Sequence, residues 1–176
     1  MIGYTLWLAQ TTEKAFIQLR GKGSYKNAYL LKETTQILLN QGVTNLTIDF
    51  EKCMGMDSTF LGILAGLALE SRQLNGELSL INLQSRNFEL IQNMGMDHLV
   101  RVNQENQFSQ PSLTFQPLKE KEETKSQATK TMIEAHEALI KIHEGNRSHF
   151  QNVIECLQES VQKQTHSKKS RIGLLK

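Results

Sequence analysis

The first 103 residues alternate between short segments of two-residue hydrophobic period and longer segments of helical period. The clearest strand pattern lies in residues 43–50, where Leu46, Ile48 and Phe50 are separated by polar residues. This alternation predicts that Ile48 is buried on a central strand. Strands are predicted at 4–10, 15–21, 43–50, 77–83 and 96–102, helices at 27–42, 58–75 and 85–95, a turn at 21–27 and a loop at 51–56. The order predicts an α/β fold, in which helices pack on a mixed β-sheet of about five strands.

The remainder of the chain has a different pattern. Residues 104–125 contain both prolines and many Gln, Ser, Lys and Glu residues, which is typical of an extended polar linker. Two amphipathic stripes follow, one through Leu139 and one through Phe150, with a break at Gly145. Helices of this length are marginally stable alone in water, so they pair with each other, with the preceding domain or with another chain. An antiparallel hairpin is the simplest of these arrangements. The predicted units are a domain at 1–103, a polar linker at 104–125, a helical hairpin or coiled-coil-like extension at 126–163 and a frayed basic tail at 164–176.

Charge and cysteine content narrow the classes of function. Residues 1–103 carry nine Lys or Arg and nine Asp or Glu residues, and this balance argues against nucleic acid as a direct partner. The two cysteines, Cys53 and Cys156, form no motif that suggests a disulfide framework or a zinc site. No basic leader and no apolar run of membrane-spanning length is present. We therefore expect a cytoplasmic protein that does not insert into a membrane.

The start of the helix at 58–75 raises a question of function. Asp57 or Ser58 is suited to cap the helix, and capping alone explains both residues. A site is the other interpretation, because sites in open α/β sheets gather beyond the carboxyl ends of strands. In that case Met54, Met56 and Phe60 form an adaptable apolar collar around a small hydroxyl, suited to contact with a protein. A phosphate on Ser58 is also compatible with the helix dipole.

The segment LTIDFEKCMGMDSTFLGILAGLALE resembles the signature of the STAS family, the fold of the anti-sigma factor antagonists. That signature is an alternating strand, a short loop, Asp-Ser, a second small residue and Leu-Gly at the start of a helix. The segment NFELIQNMGMDHLVRV is similar to the late helix, turn and last strand of the same family. The matching positions are Asp57, Ser58, Thr59, Leu61, Gly62, Gly95, Met96 and Asp97. The resemblance covers about residues 4–102 and implies a STAS-like sheet, with the C-terminal helices as an extension.

The resemblance implies a binding module in a partner-switching pathway. Ser58 would be the phosphoacceptor: an anti-sigma factor serine kinase binds the unphosphorylated protein, phosphorylates Ser58 and releases it, and a phosphatase resets it. Partner-binding positions are predicted at Met56, Asp57, Thr59, Phe60 and Gly62. Gly62 would allow close approach, and the C-terminal helices would serve self-association.

We expect no enzymatic activity, no cofactor and no metal. His136, His143 and His149 are interpreted as solvated surface residues, because His136 and His143 lie two helical turns apart. The alternative function is a non-switching STAS scaffold or accessory subunit, for example in lipid transport or a signalling assembly. In that case Ser58 is only a helix cap.

Overall fold

The computed structural model describes residues 5–103, 113–119 and 123–173, and side chains as far as residue 163. The strands are β1 (Leu6–Gln10), β2 (Lys14–Leu19), β3 (Gly21–Gly23), β4 (Asn45–Asp49), β5 (Cys53–Met56), β6 (Glu77–Ile81), β7 (Arg101–Asn103) and β8 (Gln116–Pro117). The helices are α1 (Tyr25–Asn40), α2 (Ser58–Gln73), α3 (Ser85–Asn93), α4 (Lys125–Ile142) and α5 (Arg147–Gly173), with a 3₁₀ turn at Glu144–Asn146 between the last two.

A six-stranded mixed sheet forms the centre of the molecule, in the order β7-β6-β4-β2-β1-β8. Strands β2, β4, β6 and β7 pair in parallel, whereas β1 runs antiparallel to β2 and to β8. Ile17, Ile48 and Leu80 lie opposite one another on three neighbouring strands, and all three are fully buried. The α/β class and the burial of Ile48 are confirmed.

A second sheet of two strands was missed by the sequence analysis. β3 and β5 pair in parallel where a turn and a loop were predicted. Each is short and contains glycine, so neither has a readable alternation of apolar and polar residues. β5 ends at Met56, one residue before the cap of α2. The small sheet therefore fixes the approach to the start of α2.

Part of the predicted linker belongs to the main sheet. Gln116 and Pro117 of β8 pair with Leu8 and Trp7 on β1, and the Leu118 amide donates to the Leu6 carbonyl at 2.9 Å. A proline is tolerated here because β8 is an edge strand. Residues 104–112 and 120–122 of the linker lie outside the described residues. The domain boundaries at 103, 125 and 163 stay predictions.

The ends of α1, α2 and α3 lie within two residues of the predicted ends. α3 begins at Ser85, as predicted, and Gln84 occupies the cap position. The predicted stop at Gly95 is in place: Gly95 has a φ of +69° directly after the C-cap Met94. The predicted hairpin is present as α4 and α5, and the α5 backbone continues to Gly173 through most of the segment predicted as a frayed tail.

Helix α4 also packs against the body of the protein. Ala135 and Leu139 are fully buried and belong to the same hydrophobic core as the sheet and α2. Among the arrangements left open by the sequence, α4 thus combines two: it pairs with α5 and it covers α2.

Candidate functional site

The start of α2 is held by Asp57, which has an extended backbone with φ −93° and ψ 171°. Its Oδ1 accepts a hydrogen bond of 2.9 Å from the Phe60 amide, the usual bond of an N-cap. Its Oδ2 accepts one of 2.9 Å from the Tyr25 amide in the first turn of α1. One carboxylate therefore satisfies backbone donors at the starts of two helices. Asp57 is the cap, so the hydroxyl of Ser58 is not needed for that purpose.

Ser58 is the first residue of α2 and is half-buried. Its Oγ lies 3.0 Å from Nε2 of His136 on α4. The other ring nitrogen of His136, Nδ1, lies 2.7 Å from the carbonyl oxygen of Met132. A carbonyl oxygen only accepts, so Nδ1 carries the proton in the neutral ring and Nε2 is an acceptor. The Ser58 hydroxyl therefore donates to His136.

The environment of His136 favours the neutral ring. Burial lowers the pKa of His136, while the bond to the Met132 carbonyl and the charge of Asp57 raise it to a smaller extent. The ring of Phe150 on α5 packs against the imidazole, with 5.0 Å between the ring centroids. Together these contacts hold an uncharged acceptor over the Ser58 hydroxyl.

The interpretation of His136 as a surface residue was wrong, since the residue is only 5% exposed. His143 and His149 are exposed, in agreement with the prediction. A local signal distinguishes His136 from the other two: it lies three residues after Ile133 and three before Leu139, on the first apolar stripe itself. Its partner Ser58, 78 positions away, has no such signal.

Close packing of α4 on α2 depends on Gly62. A Cβ atom at Gly62 would lie 2.1 Å from the carbonyl oxygen of Ala135, so only glycine fits at this crossing. A Cβ atom at Gly66, one turn further along α2, would lie at an ordinary distance of 3.8 Å from the Cβ of Ala138. The close approach expected at Gly62 is thus made by the backbone of α4.

Polar contacts complete the α4 interface on its α1 side. Lys32 of α1 forms an ion pair with Glu134, and both side chains are about one-third exposed. Nε2 of Gln127 donates a hydrogen bond of 3.1 Å to the Tyr29 hydroxyl. We call the surface formed by Lys32, Ser58, Gly62 and Gly66 the α4-docking face.

Most of the predicted partner-binding side chains lie in the core. Met56, Thr59 and Phe60 are at most 8% exposed, and of the predicted apolar collar only Met54 faces solvent, with 78% exposure. Phe60 packs under Gly23, where a Cβ atom would lie 2.7 Å from the ring. The predicted collar is therefore wrong for Met56 and Phe60, because the short strand β5 and the cap at Asp57 turn both side chains inward. Ser58 and Asp57 remain half-buried at the surface.

Two general features of the site follow from the described residues. No group of three or more His, Cys, Asp or Glu side chains among them is arranged to hold a metal ion. Within the same part of the chain, no helix combines the length and the apolar character needed to cross a membrane.

A family model described as "Mlab, STAS domain" matches residues 7–101. The chain belongs to the STAS family. The match spans β1 to the start of β7 and includes Asp57, Ser58 and Gly62, whereas α4 and α5 lie beyond it. The STAS resemblance of the sequence is confirmed. No curated protein matches the chain significantly.

Solved structures show the same fold. The anti-sigma factor antagonist SpoIIAA in its unphosphorylated form is 22% identical, with a TM-score of 0.50, over 57% of this chain and 88% of that one. A putative anti-sigma factor antagonist from Thermotoga maritima is 15% identical, with a TM-score of 0.53, over 56% of this chain and 86% of that one. At these identities the likeness concerns the fold.

Proposed function

We propose that this STAS protein is a cytoplasmic binding module of the anti-sigma factor antagonist type, with Ser58 as the switch. The supporting observation is that Asp57 and Ser58 have separate roles at the start of α2. Asp57 provides the cap, accepting a bond of 2.9 Å from the Phe60 amide, so the half-buried Ser58 hydroxyl is not needed for capping and can be the group that is modified. In this proposal the unphosphorylated module binds an anti-sigma factor serine kinase, and the module itself catalyses no reaction.

Phosphorylation of Ser58 would change this surface in two ways. It adds about −1.5 to −2 charges beside the Asp57 carboxylate. It also removes the hydroxyl proton, and with it the hydrogen bond to Nε2 of His136. The first turn of α2 tolerates the charge because its free amides and the helix dipole favour an anion. The helix therefore persists, while a partner fitted to the bare hydroxyl loses affinity, and a serine phosphatase restores the binding form.

Phosphorylation by an anti-sigma factor serine kinase in the presence of ATP tests the proposal. The wild-type chain should take up one phosphate on Ser58, and Ser58→Ala should take up none while still binding the kinase. Ser58→Asp should weaken kinase binding by at least about tenfold. Thr59→Ser is the matched control, because Thr59 is adjacent but only 6% exposed. Phosphate found on residue 59, or on neither residue, would contradict the assignment.

A non-switching scaffold or accessory subunit is the second candidate, for example in lipid transport. Two observations favour it: the matching family model is described as "Mlab, STAS domain", and α4 already fills the surface beside Ser58. For this candidate, mass spectrometry of the native protein should show Ser58 unmodified. Incubation with the kinase and ATP should also leave Ser58 unmodified.

A further inference from the structure

The α4-docking face overlaps, at Ser58 and Gly62, the surface that the proposed function assigns to a partner. Helix α4 contacts Ser58 through His136 at 3.0 Å and lies over Gly62 through the Ala135 backbone. A second helix has no room at Gly62, since even a Cβ atom there would lie 2.1 Å from the Ala135 carbonyl oxygen. The Ser58 hydroxyl also has one proton to donate, and His136 accepts it. Docking of α4 and docking of a partner helix therefore exclude each other.

Helix α4 adds two core side chains, Ala135 and Leu139, to a sheet that is complete without it. The matched family segment ends at residue 101, and the six-stranded sheet receives no strand from α4 or α5. The interface combines the buried Ala135 and Leu139, a small-residue crossing at Gly62, hydrogen bonds to Ser58 and Tyr29, and an ion pair to Lys32 in which both side chains are about one-third exposed. The pair between Lys32 and Glu134 is partly exposed, so neither charge is left buried without a partner when the helix leaves. Exposed ion pairs also contribute little to stability.

We propose that α4 is a removable occupant, held in cis, of a helix-docking face on α1 and α2, so that any partner helix must displace it. The inference rests on the proposed function in placing the partner site at Ser58. It adds the chemistry of the partner: a helix with a small residue over Gly62, a hydrogen-bond acceptor towards Ser58 and an acidic residue towards Lys32. The α4 segment has this pattern in Ala135, His136 and Glu134.

The test uses the full-length chain and a labelled peptide of residues 125–142 as the probe. Ala135→Glu places a carboxylate on the fully buried side of α4 and should undock α4 while leaving the face intact. The peptide should bind Ala135→Glu at least about tenfold more tightly than the wild type, whose face is already filled. Glu137→Gln, an exposed change on α4, is the matched control and should behave as the wild type.

A second substitution locates the binding. Gly62→Ala added to Ala135→Glu should abolish peptide binding, whereas Gly66→Ala should preserve it, because a Cβ atom fits at Gly66 and not at Gly62. Trp7, the single tryptophan, lies on β1 beside Arg20, with 4.0 Å from the guanidinium carbon to the ring centroid, and reports whether the sheet is folded.

Each contrary outcome overturns the inference. If Ala135→Glu loses the native Trp7 fluorescence, α4 is an integral part of the core and not removable. If the sheet is folded but the peptide does not bind, the face is not a docking surface. If the wild type is a dimer that exchanges α4 between copies, the occupant is not held in cis.

The kinase separates failure of the inference from failure of the proposed function. Equal kinase affinity for wild type and Ala135→Glu would overturn competition by α4 while leaving a kinase-binding module. If the kinase neither binds any form nor phosphorylates Ser58, the proposed function fails. Binding of the peptide to Ala135→Glu still decides whether α4 can leave the face.

Discussion

Helices α4 and α5 have similar amphipathic sequences but different surroundings. In α4, Ala135 and Leu139 are fully buried, and the helix packs against both α2 and α5. In α5, Ile154 is 5% exposed, whereas Val153 on the same predicted stripe is 39% exposed. A hydrophobic stripe thus shows that a helix needs a neighbour, but it does not show which neighbour or how much of the stripe is covered.

The difference between the two helices lies in their small and hydrogen-bonding residues. Ala135 and Ala138 let α4 approach Gly62 and Gly66 closely, and the adjacent His136 reaches Ser58. The described part of α5 offers longer side chains at comparable positions, such as Gln151 and Gln158 beside Ile154. Helix α4 therefore packs closely on α2, whereas α5 packs against α4.

The largest expected effect separates the buried stripe of α4 from the exposed stripe of α5. Leu139→Asp buries an unpaired carboxylate and should lower the free energy of unfolding by about 3 kcal/mol or more. Val153→Asp, the matched change on α5, should alter it by no more than about 0.5 kcal/mol. Urea unfolding followed by circular dichroism measures both. Equal losses would show that the two helices belong to one cooperative core.

A smaller effect is expected at the contact between the two helices. Phe150 is half-buried, and its ring packs on His136. Phe150→Ala should cost about 1 kcal/mol, the order of an aromatic pair. The loss should appear as faster amide exchange in α5, with the main unfolding midpoint nearly unchanged. His149→Ala, at an exposed neighbouring ring, is the control. A drop in midpoint as large as that of Leu139→Asp would contradict the comparison.

The sequence predicted the framework better than the site. The alternation at Leu46, Ile48 and Phe50 revealed the central strand, because a sheet core imposes a local period of two. The motif from Asp57 to Gly62 predicted a site at the start of α2, which stays a prediction, and a close approach at Gly62, which the structure shows. The same motif did not reveal that Asp57 alone caps α2, or that Met56 and Phe60 turn inward.

The features that were missed depend on contacts between distant segments. The bond between Ser58 and His136 joins residues 78 positions apart, and no local period encodes it. Pairing of β8 with β1 involves only two residues of β8, one of them Pro117, in a segment with the composition of a linker. Such pairings are selected by tertiary packing, which a single sequence does not display.

The smallest expected effect is a dependence of α4 docking on pH. Burial lowers the pKa of His136 in the docked state, so the undocked ring binds a proton first as the pH falls. Docking is therefore at full strength above the ordinary histidine pKa of about 6.5 and weakens below it, until the docked ring is also protonated. The charge of Asp57 moderates this loss.

Amide exchange of residues 125–142, corrected for intrinsic rates, measures the pH effect. Protection should fall between about pH 7 and pH 5 in the wild type and in His143→Gln, whose ring is exposed. His136→Gln should lack the dependence. A pH response that persists in His136→Gln would assign the titration to another group.

The most direct test of competition between α4 and the kinase is to link α2 and α4 by a disulfide. A Cβ atom at Gly66 lies 3.8 Å from the Cβ of Ala138, which matches the mean Cβ separation in disulfides of about 3.8 Å. The chain Gly66→Cys/Ala138→Cys should carry Cys156→Ser as well, because Cys156 is exposed while Cys53 is buried. We expect rapid, nearly complete intramolecular oxidation, and at least about tenfold weaker binding of the anti-sigma kinase in the oxidised than in the reduced form. If the cysteines stay reduced or join separate chains, α4 does not dock on α2 within one chain. If the disulfide leaves kinase binding unchanged, α4 does not compete with the kinase.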